Sequence, residues 1–250
     1  MKYILLLTVL LATTTIAAAT FDETMAAAKQ GEGYAQYNLG VMYDKGVGVP
    51  ENNTEAVKWF RKAADQGLAM AQYNLGALYR IGEGVPENNT EAVEWFRKAA
   101  DQGHTSAQYN LGLMYDFGNG IPENDTESVK WYRKAADQGH TSAQYNLGLM
   151  YYEGKGVPEN DTEAVKWYRK AAYQGNADAQ SNLGLMYVTG AGIPENSITA
   201  YVWWSMAKTQ GQTDAAENLE RLKPQMTKQQ IADGQALAAK CYESDFKDCD

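Results

Sequence analysis

A repeat of 36 residues constrains this chain more than any other feature of its sequence. The tetrapeptide Tyr-Asn-Leu-Gly, with Ser for Tyr in the last copy, begins at Tyr37, Tyr73, Tyr109, Tyr145 and Ser181. Gly-x-Gly-[Val/Ile]-Pro-Glu-Asn recurs in the same register, and five of the six prolines and five of the six tryptophans lie at matching positions. Because a fixed period of roughly 20–50 residues is typical of solenoids and arrays, each copy is expected to be one supersecondary unit.

Each copy has the pattern of two helices. The apolar residues of the first segment follow the i, i+4, i+7, i+8 spacing of an amphipathic helix: Ala35, Leu39, Met42 and Tyr43. Gly46 is expected to end this helix, because glycine tolerates the left-handed conformation found at helix ends. Asn52 is predicted to cap the second helix, with Glu55 as its reciprocal partner at the third position, and Gly67 to end it. Residues 52, 88, 124 and 160 share this Asn-x-x-Glu spacing.

A hairpin of two such short helices cannot bury its own apolar face, so the copies are expected to stack. The predicted organisation is all-α. Residues 20–32 would form a single helix of the second type, residues 33–211 five repeats, and residues 212–250 two capping helices and a tail. In the cap, Pro224 would end one helix, and Thr227 with Gln230 would open the next.

Residues 1–19 resemble a secretory signal peptide. Lys2 precedes a short apolar run over Tyr3 to Ala12, and Ala17–Ala19 offers a small-residue cleavage site. The run is shorter than the roughly 20 residues that cross a bilayer. We therefore expect an exported protein, either periplasmic or secreted, with no membrane span. No Cys follows the run, which disfavours a lipid anchor.

Charge and cysteine content restrict the partners. The net charge of −9 gives no electrostatic reason to bind nucleic acid or an anionic membrane surface. The two cysteines, Cys241 and Cys249, could close a short disulfide loop in an oxidising compartment, either as a tail clip or as a redox switch.

The repeated motifs resemble the Sel1-like repeat family, which is related to the tetratricopeptide repeats. The resemblance rests on Ala-x-Tyr-Asn-Leu-Gly-x-Met-Tyr, on Gly-x-Gly-Val-Pro, and on Ala-Val-x-Trp-[Phe/Tyr]-Arg-Lys-Ala-Ala-x-Gln-Gly, and it covers roughly residues 21–211. It implies a right-handed α/α superhelical solenoid that acts as an adaptor or scaffold. Some exported relatives bridge every repeat with a disulfide, whereas no repeat here contains Cys.

In tetratricopeptide modules the first helix of each pair lines a concave groove. Carried over by position, the groove would present a row of tyrosines: Tyr37, Tyr73, Tyr109 and Tyr145. One turn later it would present Val41, Ala77, Leu113, Leu149 and Leu185. Two further rows differ between copies, namely Asp44, Arg80, Asp116, Tyr152 and Val188, and Lys45, Ile81, Phe117, Glu153 and Thr189.

Two interpretations of these rows stay open. The variable rows would select a peptide or a partner helix, or they would be solvent-facing positions that differ freely. Large apolar groups such as Ile81, Phe117 and Tyr152 favour selection, because a free surface does not require them. The tyrosine row would be either a general contact platform or packing between helices.

No residue pattern indicates catalysis, a metal site or a cofactor. His104 and His140 lie at the same position of two copies, and neither has a second ligand at helical spacing. The Gly-x-Gly turns follow no strand and lack a third glycine, so they are not phosphate loops. Asn-x-Thr sequons begin at Asn52, Asn88, Asn124 and Asn160, where helix capping alone would produce them, although glycosylation stays open.

The favoured function is an exported, monomeric, non-enzymatic module that binds a partner protein or peptide. One alternative is an envelope enzyme that acts on cell-wall or β-lactam-like substrates. Another is a structural component of a larger envelope assembly.

Overall fold

The computed structural model describes residues 20–249, so the signal-peptide prediction for residues 1–19 lies outside the described part. Within that part the protein is all-helical and has no strand. The first helices of the pairs are α2 (Gly33–Lys45), α4 (Ala69–Ile81), α6 (Thr105–Phe117), α8 (Thr141–Glu153) and α10 (Ala177–Thr189). The second helices are α3 (Asn53–Asp65), α5 (Asn89–Asp101), α7 (Asp125–Asp137), α9 (Asp161–Ala172) and α11 (Ser197–Thr209). Before the pairs lies α1 (Phe21–Lys29), and after them α12 (Thr213–Leu222), a 3₁₀ turn (Lys223–Gln225) and α13 (Lys228–Glu243).

The helix ends follow the local sequence with one exception. Gly46 ends α2 in the left-handed conformation at φ 66°, and the Asn52 side chain caps α3 by accepting a hydrogen bond from the Glu55 backbone N–H at 3.1 Å. The predicted reciprocal bond from Glu55 to the cap is wrong. The Glu55 carboxylate turns forward to Lys58, 2.6 Å away, because an ion pair at i, i+3 is available on the exposed face.

Each second helix packs between the first helix of its own copy and the first helix of the next, which makes a continuous solenoid. The close approach within a pair depends on a missing side chain. A Cβ atom on Gly40 would lie 2.6 Å from Cδ1 of the buried Phe60 ring. The Trp residues of the repeats are buried as well, with Trp59 8% and Trp95 6% exposed.

Successive turns between helices also touch each other. Gly84, at φ 69°, lies against the start of α3, where a Cβ would stand 2.2 Å from the backbone oxygen of Asn53. Only glycine fits both that conformation and that contact. The second glycine of Gly-x-Gly therefore sets the spacing between neighbouring copies.

Buried glutamines join each copy to the one before it. Gln72 on α4 donates to the Ala64 carbonyl of α3 at 3.1 Å and accepts a hydrogen bond from Gln102 at 2.7 Å. Gln72 is 4% exposed, so these bonds satisfy polar groups that water does not reach. The same arrangement recurs in the other four copies, at Gln36, Gln108, Gln144 and Gln180.

The C-terminal end of the solenoid is covered by α13, which packs on α11. Where α3 carries the exposed Lys58 and Lys62, α11 carries Val202 and Met206, both buried. These positions are apolar where a further helix covers them. Cys241 and Cys249 are joined by a disulfide, and Thr227 with Gln230 forms the predicted reciprocal cap of α13.

Candidate functional site

The first helices present a common surface, here called the first-helix face and defined by α2, α4, α6, α8 and α10. Four hollows lie along it, one between each pair of successive first helices. Three have volumes of about 350, 450 and 260 Å³, and the last, between α8 and α10, has about 20 Å³.

Most of the residues predicted for the groove line these hollows. The hollow between α2 and α4 is lined by Tyr37, Asp44, Lys45 and Ile81, and the next one by Arg80 and Phe117. The third is lined by Asp116, Phe117 and Glu153, and the fourth by Tyr152. Residues that are 36 positions apart in sequence thus form one continuous surface. Tyr73, Tyr109 and Tyr145 line none of these hollows.

The tyrosine row is half-buried and packs between copies. The Tyr73 ring lies 5.9 Å from Phe96 and stacks on His104, the residue that caps the next first helix, α6, with 4.7 Å between ring centroids. Tyr109 stacks on His140 in the same way, at 4.5 Å. Burial raises the pKa of Tyr109. These rings therefore connect each helix pair to the start of the next first helix.

The two histidines have structural roles. His104 caps α6, where its Nδ1 accepts a hydrogen bond from the Ala107 backbone N–H at 3.2 Å, and His140 caps α8 in the same way. An accepting Nδ1 is unprotonated, and burial lowers the pKa of both rings accordingly. In residues 20–249, no group of three His, Cys, Asp or Glu side chains is arranged to hold a metal ion.

Two acidic members of the variable rows, Asp44 and Asp116, are engaged in ion pairs. Asp116 accepts hydrogen bonds from the Tyr132 hydroxyl at 3.0 Å and from Lys155 at 2.8 Å. Lys155 also lies 3.2 Å from Asp125, and these carboxylates, Asp116 first, raise its pKa. Asp44 pairs with Lys45 at 2.9 Å. Asp116 thereby links α6, α7 and the turn after α8, which reduces its freedom to pair with a ligand.

The apolar members are exposed. Ile81 is 49%, Phe117 64% and Tyr152 40% exposed, and Leu185 extends the series at 36%. They come from four successive first helices and face the same row of hollows. Neighbouring exposed apolar groups of this size are typical of interaction surfaces.

An asparagine row is the feature of this face that the sequence prediction missed. The hollows are also lined, in order, by Asn74, Asn110, Asn146 and Asn182. Their constancy within Tyr-Asn-Leu-Gly is visible in the sequence, but the tetrapeptide alone does not show that its Asn lies at the surface. The structure places this constant residue on the open surface.

The Sel1 repeat family model matches five consecutive segments of the chain, at residues 33–68, 69–104, 105–140, 141–176 and 177–212. The chain belongs to the Sel1 repeat family. Sel1 repeat proteins are protein-interaction modules, and the fold is generally a non-enzymatic scaffold. None of the helices in residues 20–249 is long and apolar enough to cross a bilayer.

Two solved Sel1-type structures resemble the chain. A Sel1 repeat protein from Oxalobacter formigenes is 38% identical with a TM-score of 0.74, over 78% of this chain and 81% of that one. The protective antigen c5321 of uropathogenic Escherichia coli, with an SLR fold, is 28% identical with a TM-score of 0.61. That match covers 90% of this chain and 57% of the antigen, so the chain spans little more than half of its length. No curated protein matches the chain.

Proposed function

We propose that this Sel1 repeat protein is an exported adaptor that binds a partner protein through the first-helix face, as a monomer. One observation carries the proposal: Ile81, Phe117 and Tyr152 are exposed on three successive first helices and line hollows of one row. Apolar groups at the centre of such a surface supply most of the binding free energy of protein interfaces. Charged rim residues such as Arg80 and Glu153 would set orientation and association rate.

Export is supported by two features. The first is the signal-peptide pattern of residues 1–19. The second is the disulfide between Cys241 and Cys249, since such bonds persist in oxidising compartments. Mass spectrometry of the protein from its own host tests this. A mature N-terminus near Thr20 in the envelope or medium fraction supports export, and an intact Met1 in the cytosol contradicts it.

Replacing Ile81, Phe117 and Tyr152 together by Ser tests the binding face. After cross-linking in the native envelope fraction, the proteins captured by the wild-type chain are quantified against those captured by the triple variant. A loss of most of the captured partner supports the proposal.

A matched control has three serines on the opposite side of the solenoid, at Lys58, Lys130 and Lys166. These lysines are exposed and form i, i+3 surface ion pairs, which contribute little to stability, and Lys166 also lies 5.8 Å from the centre of the Trp167 ring. The control is expected to capture partners like the wild type. Equal capture by all three proteins would rule out the first-helix face as the binding surface.

A further inference from the structure

The segment after α13, residues 244–249, is called the strap here because it turns back onto the solenoid. The Phe246 ring lies against Gly175, where a Cβ atom would stand 3.2 Å from Cε2 of the ring. Gly175 lies in the turn between α9 and α10, which joins the fourth copy to the fifth. The strap thus runs from the end of the cap to the last junction between copies.

This junction differs from the others in ways that match the strap. At the equivalent glycines a Cβ atom would meet nothing within 4 Å, namely at Gly67, Gly103, Gly139 and Gly211. Two residues before Gly175, the fourth copy carries Tyr173, which is half-buried and lies edge-on to the Trp203 ring at 5.5 Å. The first three copies have an exposed aspartate at this position: Asp65, Asp101 and Asp137. The sequence therefore changes from charged to aromatic at the junction that the strap covers.

The backbone of the strap is unfavourable by itself. Within residues 20–249, Asp245 and Phe246 are the only residues other than glycine with a positive φ, at 54° and 63°. A left-handed backbone costs free energy for a residue with a side chain, and it persists only where its surroundings impose it. Here the Phe246 N–H donates to the Cys241 carbonyl at 2.9 Å, and a disulfide joins Cys241 to Cys249 across the turn. The Phe246 ring is therefore positioned by a closed loop.

The sulfur atoms of this loop are shielded from solvent. Cys241 and Cys249 are both fully buried and belong to the same apolar cluster as Trp203, and Phe246 packs against that cluster. A thiolate must reach a sulfur in order to exchange with it, so the strap has to open locally before a reductant can act. The contact of Phe246 with Gly175 and the disulfide therefore stabilise each other.

We propose that the strap is a redox-sensitive latch, in which the Cys241–Cys249 disulfide seats Phe246 on Gly175 and fastens the cap to the junction of the fourth and fifth copies. A dithiol reductant opens it: two electrons and two protons pass to the protein disulfide, the dithiol becomes a disulfide, and Cys241 and Cys249 become thiols. The left-handed turn then relaxes and Phe246 leaves Gly175. The C-terminal end is thus completed only in a compartment where disulfides form. This inference goes beyond the proposed function and does not depend on the partner of the first-helix face.

Hydrogen exchange of the full chain, oxidised and after reduction with dithiothreitol, tests the release of the strap. In the turn under the strap, the amides of Gln174, Gly175 and Asn176 donate to carbonyls of α9. Residues 138–140 form the same bonds one copy earlier, where no side chain covers Gly139, and are the matched internal control. Reduction is expected to speed exchange at residues 174–176 about 10-fold, within the effect of a disulfide on opening, and to leave residues 138–140 unchanged.

The opposite dependence is tested by the rate at which dithiothreitol reduces the oxidised chain. Phe246→Ala removes the ring from Gly175 and is expected to speed reduction about 10-fold, because the loop opens more often. Tyr242→Ala is the matched control, since Tyr242 is next to Cys241 in sequence but is 65% exposed. This control is expected to be reduced at the wild-type rate.

Two results would overturn the inference: exchange at residues 174–176 that does not respond to reduction, or Phe246→Ala that is reduced no faster than Tyr242→Ala. If reduction speeds exchange at residues 138–140 as much as at 174–176, the reduced chain has loosened as a whole, and the reduction rates of the two oxidised variants decide. A faster rate in Phe246→Ala then supports the latch, and equal rates overturn it. The proposed function is tested separately, by the capture of partners with the Ile81, Phe117 and Tyr152 triple variant.

Discussion

The buried interior of the solenoid and the first-helix face are built from the same helices. The interior residues are identical from copy to copy, whereas many residues of the face are not. On α6, Gln108 and Leu111 face inward and have identical counterparts in every copy, whereas Asp116 and Phe117 face the hollows and do not. On the exposed side of the second helices, a lysine recurs where it can pack on a tryptophan ring of the same helix. Lys98 lies 3.8 Å over the Trp95 ring, and similar pairs recur in the first four copies.

The comparison shows that a side chain recurs in this protein when its contact is supplied by the next copy. Where a side chain faces solvent instead of a neighbouring copy, the residue differs between copies, as at Ile81, Phe117 and Tyr152. The asparagine row follows the same rule, since Asn146 lies within hydrogen-bonding reach of Tyr132, and Asn182 of Tyr168, in the copy before it.

The largest expected effect separates two leucines on one helix. Leu111→Ala should lower the free energy of unfolding by about 2–5 kcal/mol, because Leu111 is fully buried and its loss leaves a cavity between copies. Leu113→Ala, two residues later on the first-helix face, should cost less, about 1 kcal/mol, since Leu113 is only partly buried. Urea unfolding measures both. Equal losses of unfolding free energy in the two variants would contradict the distinction between the buried interior and the first-helix face.

A smaller effect is expected at the buried glutamines. Gln108→Leu should cost about 1–3 kcal/mol, because it leaves the Ala100 carbonyl and the Gln138 amide without their partner. Asn110→Leu removes only a bond to the Ser106 carbonyl on a half-buried turn, so it should change stability by about 1 kcal/mol or less. Chemical denaturation of the two variants compares them. A larger loss of stability in Asn110→Leu than in Gln108→Leu would show that the asparagine row serves the fold rather than the first-helix face.

The smallest effect is a pH dependence at the histidine caps. Burial lowers the pKa of His104 and His140 from the ordinary value of 6.5, so below that pH the unfolded chain binds protons that the folded chain does not. Stability should therefore be greatest above pH 6.5 and fall as the pH drops toward the lowered values.

The fifth copy provides the control for this pH dependence. Asn176 caps α10 at the equivalent position, where its side chain accepts from Ala179 at 2.7 Å without titrating. The double variant His104→Asn, His140→Asn should lose this part of the pH dependence, as measured by urea unfolding between about pH 7.5 and 5.5. If its slope in that window equals the wild-type slope, the caps do not cause the effect.

The sequence predicted the all-helical solenoid because its period, its glycines and its capping asparagines each act locally or between adjacent copies. It did not predict the Gln72–Gln102 bond, although Gln is constant at both positions, because a polar side chain is expected to be exposed unless its buried partner is known. The ion pair of Asp116 with Lys155 was equally hidden, since it joins the end of one helix to a turn in the next copy. The charges in the sequence did not show which residues of the variable rows form ion pairs within the protein.

The most direct test of the account is hydroxyl-radical footprinting of the chain, free and cross-linked to its partner from the envelope fraction. Phe117 and Tyr152 are exposed on the first-helix face, and Tyr242 is 65% exposed on α13, which packs on the second helix α11. The account predicts that the partner suppresses the oxidation of Phe117 and Tyr152 and leaves that of Tyr242 unchanged. Protection of Tyr242 with continued oxidation of Phe117 and Tyr152 would contradict it.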